Sequence, residues 1–392
     1  MTPPPGASGG WITTTEAAAR LGVKRATLYA YVSRGLLRSE RRPGQQESLF
    51  DRAQVDAMAS PERTTSTPRT LLRFRSVASG VSRQVDGDLA YRGVALADVV
   101  ALGSLERAAG LVLGVDDSTG VPPSRLPEAA SLASDLTILP LERRIPVAVQ
   151  LLAATDPFHG DTDPGRVRST ALALLPAAVA LAGGAATDGG LAPLLLGALG
   201  GHPDEATHVE VLRVLLVALL DHGLTASTVA ARVAASTRAG LHDCLSAAYA
   251  AMAGPLHGAA PSAAYALVAV DSDPVATIGQ ALRDRPAVPG FGHFLYPEGD
   301  PRAALVLAAV WDLPGTAALR ERVEALARAA RDRTGALPNI DLASAAALHA
   351  LGLPAAAGEV VFQVARSYGV AAHVVEEYAE EPLRWRGRES LG

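Results

Sequence analysis

Between residues 140 and 220, leucine, valine and alanine recur at intervals of three and four. That spacing leaves the segment little choice but helix. Gly183–Gly190 and Gly200–Asp204 break the run into pieces. No strand-like alternation appears after residue 90, so the body is expected to be all-α. At 392 residues the chain has room for two or three domains and a large core.

Composition bounds the function more than the fold. A net charge of -5 and a pI of about 6.0 give no overall basic field for nucleic acid. Lys24 is the only lysine, so arginine carries the positive charge. A single cysteine, Cys244, excludes an intramolecular disulfide framework and reads as a small core residue. No basic start leads into an apolar run, so no signal peptide is expected. The apolar stretch Ala171–Ala186 is interrupted by Pro176 and Gly183-Gly184, which argues against a membrane span. The expectation is a soluble, cytoplasmic protein with no membrane partner.

The first sixty residues have their own texture. Thr13 followed by Glu16 fits a capping box, with a short helix running to Leu21. Gly22 ends that helix, and Lys24–Val32 starts another, a helix-turn-helix pattern. Lys24, Arg25, Thr27 and Tyr29 on the second helix suit phosphates and base edges. Gly35–Phe50 reads as a hairpin or wing beside Arg38, Arg41 and Arg42, and Asp51 caps a third helix through Met58. This stretch resembles the helix-turn-helix half of MerR-type and excisionase-type DNA-binding modules, which makes DNA a possible partner. Its net charge is only +3, weak for gripping a duplex. Pro61–Arg69 reads as a polar linker.

The chemistry is concentrated late in the chain. Val288–Ala303 holds three glycines and three prolines, so it is not one helix, and it carries His293 and Arg302. An imidazole titrates near neutrality and a guanidinium grips a carboxylate with two hydrogen bonds. On residue types alone, this is either a site for a small acid or a solvated surface turn. His222 follows a long helix and precedes Thr225, Ser227 and Thr228, which are placed to cap a helix over Val229–Ala239. It is either a substrate contact or a helix-end histidine. His257 stands between Gly254-Pro255 and Gly258, where backbone and ligand can approach closely, and is either a functional group or a helix-start histidine bonded to its own backbone. Asp341, just after Pro338 among apolar residues, is either a helix cap or a desolvated base with a raised pKa. Arg366 lies on an apolar helix and needs a partner, an anionic ligand or a structural carboxylate. His159, His202, His208 and His373 read as surface or structural histidines. No paired His/Glu spacing points to a metal.

Taken together, these motifs are similar to those of the citrate synthase family. The resemblance rests on Asp-Gly and Tyr-Arg-Gly at 86–93, His222 in Asp-His-Gly-Leu-Thr, His257 in Gly-Pro-Leu-His-Gly, Pro-Gly-Phe-Gly-His293 through Asp-Pro-Arg302, Asn-Ile-Asp341 and Ala-Arg366-Ser-Tyr-Gly. It covers residue 75 to the C-terminus. It implies a helical fold with a large domain over 75–257 and 349–392, a small domain over 258–348, and a cleft between them. This body follows a winged helix-turn-helix module at 1–60 and a linker at 61–74. The implied activity is an acyltransferase condensing acetyl-CoA or propionyl-CoA with oxaloacetate. Asp341 is the implied base, His257 the donor to the thioester oxygen, and His293 the donor to the ketone. Arg302, Arg366 and His222 are the implied oxaloacetate contacts. No resident cofactor is implied; coenzyme A enters as the substrate thioester. A homodimer is implied too, with an arginine near the C-terminus reaching the partner's site, and Arg386 is the best match, with Arg384 close behind.

The sequence departs from the family in places. After His257 it reads Gly258-Ala259-Ala260-Pro261-Ser262 where Gly-Gly-Ala-Asn-Glu is usual. Phe294 stands where arginine often follows the ketone-facing histidine, and the tail lacks the proline between its arginines. Residues 165–205 also look short. A reading from another class is a DNA-binding regulator that uses the same fold as a metabolite sensor.

Overall fold

A computed structural model of the chain describes residues 11–21, 23, 28, 31–32, 37, 39–40, 48–59, 77–85, 87–115, 126–133, 135–184, 189–285 and 287–386. The structure divides into two compact units, Met1–Ala78 and Ser79–Gly392.

In the first unit, β1 (Trp11–Thr13), β2 (Ser39–Glu40) and β3 (Leu49–Asp51) form an antiparallel sheet in the order β1-β3-β2. The β2–β3 pairing is the anticipated hairpin. Strand β1 was not anticipated; it is too short to show alternation and is fixed by pairing Ile12 with Phe50. The capping box forms: Thr13 N–H donates to Glu16 Oε2 at 2.9 Å, and Glu16 N–H donates to Thr13 Oγ1 at 3.2 Å. The helix Thr14–Leu21 follows, and Asp51 accepts from Gln54 N–H at 3.3 Å to start the helix Arg52–Ala59. Ile12, Ala17, Leu28, Leu37, Phe50 and Val55 make a small core. Lys24, Arg25, Thr27 and Tyr29, the arginines Arg38, Arg41 and Arg42, and the linker at 61–74 lie outside the described residues.

The second unit opens with β4 (Ser82–Val85), β5 (Asp88–Tyr91) and β6 (Val94–Ala95), an antiparallel meander that turns at Gly87, φ +83°. Helices make up the rest. Ser104 caps Leu105–Leu113 by accepting from Arg107 N–H at 3.2 Å. Pro164–Leu181 runs through Pro176, contrary to the expected break. Proline removes one ladder hydrogen bond there, but Leu174, Leu175, Ala177 and Ala178 around it are buried. Among the described residues no helix is long and apolar enough to cross a membrane.

The helix Ala357–Tyr378 is buried almost all round and packs against Leu105–Leu113, Leu141–Thr155, Pro164–Leu181, Ala206–Leu219, Ala226–Ser236 and Leu241–Met252. Its apolar residues pack on every side, and its buried Arg366, His373 and Glu377 are met by partners from other segments. Together they bury one large hydrophobic cluster. A second, smaller cluster gathers Val268, Ile278, Val288, Phe291, Leu326 and Leu342. The helix Ile340–Ala350 serves both: Ile340, Ala343 and Ala347 face the large cluster, and Leu342, Ala345 and Ala346 face the small one. The first turn of that helix therefore sits at the seam of two cores.

Candidate active site

Two glycines let the backbone close up at that seam. A Cβ on Gly290, φ +82°, would stand 2.9 Å from Leu342 Cβ. A Cβ on Gly369 would collide with the Leu220 carbonyl and the Asp221 carboxylate, so the central helix meets the turn before His222 at glycine.

The loop carrying His293 is stitched to the helix carrying Asp341. Gly292 N–H donates to Leu337 O at 2.7 Å, Asn339 N–H to Gly290 O at 2.9 Å, and Asn339 Nδ2 to Gly292 O at 2.9 Å. Asn339 also caps the helix, its Oδ1 accepting from Asp341 N–H at 3.0 Å and Leu342 N–H at 3.4 Å. Asp341 is therefore not the cap, and its carboxyl is left free of that duty. Burial pushes it up to about 6, with Asp300 adding and Arg302 opposing.

Arg302 is buried and held by Asp300, Nε to Oδ1 at 2.9 Å and Nη2 to Oδ2 at 2.8 Å. The same Asp300 accepts from Ile340 N–H at 3.0 Å. One carboxylate thus sets both the arginine and the start of the Asp341 helix, a role the sequence reading missed because Asp-Pro reads only as a helix start.

His293 Nδ1 accepts from Leu295 N–H at 3.2 Å. Burial, then Arg302, hold its pKa below the ordinary imidazole range. A neutral ring with an occupied acceptor at Nδ1 carries its proton on Nε2, ready to donate. His222 packs edge-on to His293 with centroids 5.2 Å apart. Burial, then Arg302 and Arg366, bring His222 down to about 2. Tyr296, also unflagged in the sequence, lies against both rings; its hydroxyl is 2.9 Å from His222 Nε2.

Arg366 is buried with no carboxylate in salt-bridge contact among the described residues. Nε donates to Leu219 O at 2.9 Å and Nη1 to Thr225 Oγ1 at 3.4 Å, while the guanidinium stands 4.6 Å from the Phe362 ring centre. Burial lowers it to about 10, with Asp221 opposing. His257 Nε2 is 2.8 Å from Ser227 Oγ, and its ring meets Phe362 edge-on at 5.2 Å. Burial, then Arg366, bring His257 down to about 4.

The expected caps at 225–228 need correction. The helix spans Ala226–Ser236, not Val229–Ala239, and Thr225 makes no side-chain cap bond. Its hydroxyl instead faces Ser227 and Thr228 at 3.2 and 3.1 Å and accepts from Arg366. These hydroxyls support the site rather than the helix end.

Six of the seven candidates thus fall into two linked groups, His222, His293, Arg302 and Asp341 through Tyr296 and Asp300, and His257 and Arg366 through Ser227 and Thr225, with the Arg366 charge acting on His222 between them. Arg386 does not join them. It is exposed, with its N–H donating to Leu383 O at 3.0 Å. Arg384 is taken by Glu377, Nε and Nη2 each at 2.6 Å. The described residues hold no group of three or more His, Cys, Asp or Glu placed to bind a metal.

The family model for the citrate synthase C-terminal domain matches residues 73–388. The chain belongs to the citrate synthase family. A helix-turn-helix domain model matches residues 11–61 in front of it. The 2-methylcitrate synthase of Mycobacterium tuberculosis is 30% identical over 329 residues, covering 75% of this chain and 82% of that protein. The citrate synthase of Haloferax volcanii is 32% identical over 204 residues, 49% of this chain. The matched segment spans about half of that relative's own length, 54%. Among solved structures, the citrate synthase of Thermoplasma acidophilum, in a ternary complex with carboxymethyl coenzyme A and oxaloacetate, superposes with a TM-score of 0.64 at 23% identity, covering 82% of this chain and 94% of that one. The citrate synthase of Pyrobaculum aerophilum gives 0.65 at 22%, covering 81% and 90%. At those identities the superpositions show the citrate synthase fold.

Proposed function

We propose that this chain condenses acetyl-CoA or propionyl-CoA with oxaloacetate, giving citrate or 2-methylcitrate and free coenzyme A. The observation that carries the reading is a carboxyl raised to about 6, beside a buried arginine, in a site whose three imidazoles are all held neutral. Such a carboxylate is a usable base near neutral pH, and neutral imidazoles donate hydrogen bonds without adding charge.

Asp341 takes a proton from the carbon next to the thioester carbonyl. His257 feeds a hydrogen bond to the thioester oxygen as it gains enolate charge. The new carbanion equivalent attacks the ketone carbon of oxaloacetate, and His293 Nε2 passes its proton to the alkoxide that forms. Arg302, through the Nη1 that Asp300 leaves unused, and Arg366 hold the carboxylates, with His222 as a further contact. Water then cleaves the thioester, which makes the sequence one-way. Holding both reactants in register supplies several kcal/mol of the barrier. Closing the cleft between the small domain, 258–348, and the large one keeps water out during enolisation. A second copy completes the site with Arg386, since Arg384 is already committed to Glu377.

A second reading, a DNA-binding regulator with a metabolite-sensing body, is favoured by the helix-turn-helix match over residues 11–61. Thiol release with oxaloacetate and each acyl-CoA, against Asp341→Asn, decides between them. Turnover that vanishes in the variant supports the enzyme. No turnover with either thioester, together with oxaloacetate-dependent DNA binding, supports the regulator.

A further inference from the structure

A buried imidazole also stands outside the candidate active site. His242 lies in the first turn of the helix Leu241–Met252 and is 3% exposed. Its backbone carbonyl accepts from Gln150 Nε2 at 3.4 Å and from Ser246 Oγ at 3.1 Å. Neither ring nitrogen has a hydrogen-bond partner among the described residues, and Nδ1 is sealed from water. A buried polar group in that state costs free energy unless something else meets it. Burial, opposed by Asp156 and Asp243, holds the ring's pKa below the ordinary imidazole value, so the ring is neutral.

His242 lines a cavity of about 250 Å³ between the helices Leu141–Thr155, Pro164–Leu181 and Leu241–Met252. Leu152, Val167, Leu174 and Leu241, all buried, form its apolar walls. A cavity on the order of 150 Å³ with such walls already holds a benzene ring. The turn after Thr155 makes the mouth. Asp156 Oδ1 accepts from Phe158 N–H at 2.8 Å, and a Cβ on Gly240 would collide with the His159 carbonyl, so this turn is pressed onto the start of the His242 helix. Phe158 is 60% exposed there, with the Arg166 guanidinium 5.2 Å from its ring centre. Arg166 is paired with Asp161 at 2.7 Å, whereas Asp156 has no cationic partner among the described residues. The charge left over is negative and disfavours an anion.

We propose that this cavity binds a small neutral aromatic alcohol, its ring on the leucine and valine walls and its hydroxyl on the His242 imidazole. A hydroxyl both donates and accepts, so it can meet the ring in either tautomer. No residue lining the cavity belongs to the candidate active site, so the site is independent of the condensation proposed above.

Calorimetric titration of the full chain with phenol and with benzene tests this. Phenol should bind with a Kd on the order of 1 mM or tighter. Benzene, which lacks the hydroxyl, should bind about tenfold more weakly. His242→Leu roughly keeps the volume and breaks no side-chain hydrogen bond, so it should fold as stably as the wild type and bind the two rings within about twofold of each other. Should that variant not fold, the wild-type comparison of phenol with benzene still decides. No phenol binding below about 10 mM, equal affinity for benzene in the wild type, or a preference for phenol that survives in His242→Leu overturns the proposal.

Discussion

His222 and His373 both stand beside Asp221, one following it in sequence, the other 3.3 Å away across packed helices. Burial opposes charge on both rings. At His222, Arg302 and Arg366 act in the same direction, and the ring comes down to about 2. At His373, Asp221 and Glu376 outweigh burial, and its pKa is raised above the ordinary value. Their neighbours differ accordingly. Behind Asp221 the charges close on one another: Arg232 donates to Glu376 and Glu377 at 2.9 and 2.8 Å, and Glu377 accepts from Arg384 and from Trp385 Nε1 at 2.8 Å. In front of it, Arg366 has no carboxylate in salt-bridge contact among the described residues, while Arg302 pairs with Asp300 at 2.8 Å. A closed network holds a fold together; an open cationic face awaits an anion.

The contrast breaks most visibly at Asp341. Asp341→Asn should cost about 10²- to 10⁴-fold in kcat while leaving the melting temperature near wild type, since a general base contributes that much. In the wild type, kcat should fall as pH drops below about 6, where the carboxyl takes up its proton. A pH-independent acid side in the rate profile would remove Asp341 as the base.

Next comes the closed side. Glu377 has a fully buried side chain and neutralises Arg232, also fully buried, and Arg384. Glu377→Ala leaves buried Arg232 with Glu376 alone and Arg384 with the more exposed Glu380 at 3.5 Å, and should cost about 3 kcal/mol in denaturant unfolding. An effect below about 1 kcal/mol, the level of a surface pair, would mean that water reaches the network.

The two sides were not equally legible in sequence. The open side announces itself: histidines among glycines and prolines, an arginine on an apolar helix, an aspartate after proline. Those are residues whose cost must be met by function. What sequence could not give is their partners. Asp300 looked like an ordinary helix start, Tyr296 like one more loop aromatic, and Thr225 and Ser227 like caps; only the fold brings them to Arg302, His222, Arg366 and His257. The closed side was almost invisible. His373, Glu376 and Glu377 sit at helical spacing as any charged face would, and their joining to Arg232 spans more than 140 positions of sequence. Helices read well because periodicity is local; β1 and the continuation through Pro176 did not, because pairing and packing override local preference.

Stability against pH sharpens the comparison further. His373, with its folded pKa raised, contributes stability that is fully present below its unfolded value near 6.5 and is lost as pH rises through the folded pKa. His222, with its folded pKa at about 2, does the opposite: the unfolded chain binds the extra proton, so stability drains as pH falls from 6.5 toward 2. His373→Gln should therefore flatten the alkaline side of the melting-temperature profile, and His222→Gln the acid side. Changes of the same sign in both variants would show that Asp221 does not separate two electrostatic environments.

The smallest effect is expected at Phe294. It is 87% exposed yet stacks on His293, 5.1 Å between centres at 18°. Leu256, immediately before His257, is 98% exposed. An apolar side chain left largely in water beside His293 and beside His257 buries little in the free chain. Phe294→Ala should thus change stability by no more than about 0.5 kcal/mol. If the proposed condensation holds and the acyl-CoA chain covers Phe294, the same variant should raise the thioester KM a few-fold, with the oxaloacetate KM unchanged. A shift in oxaloacetate KM instead would place Phe294 on the anion-facing side, and the division between a cationic pocket for the diacid and an apolar lip for the thioester would have to be redrawn.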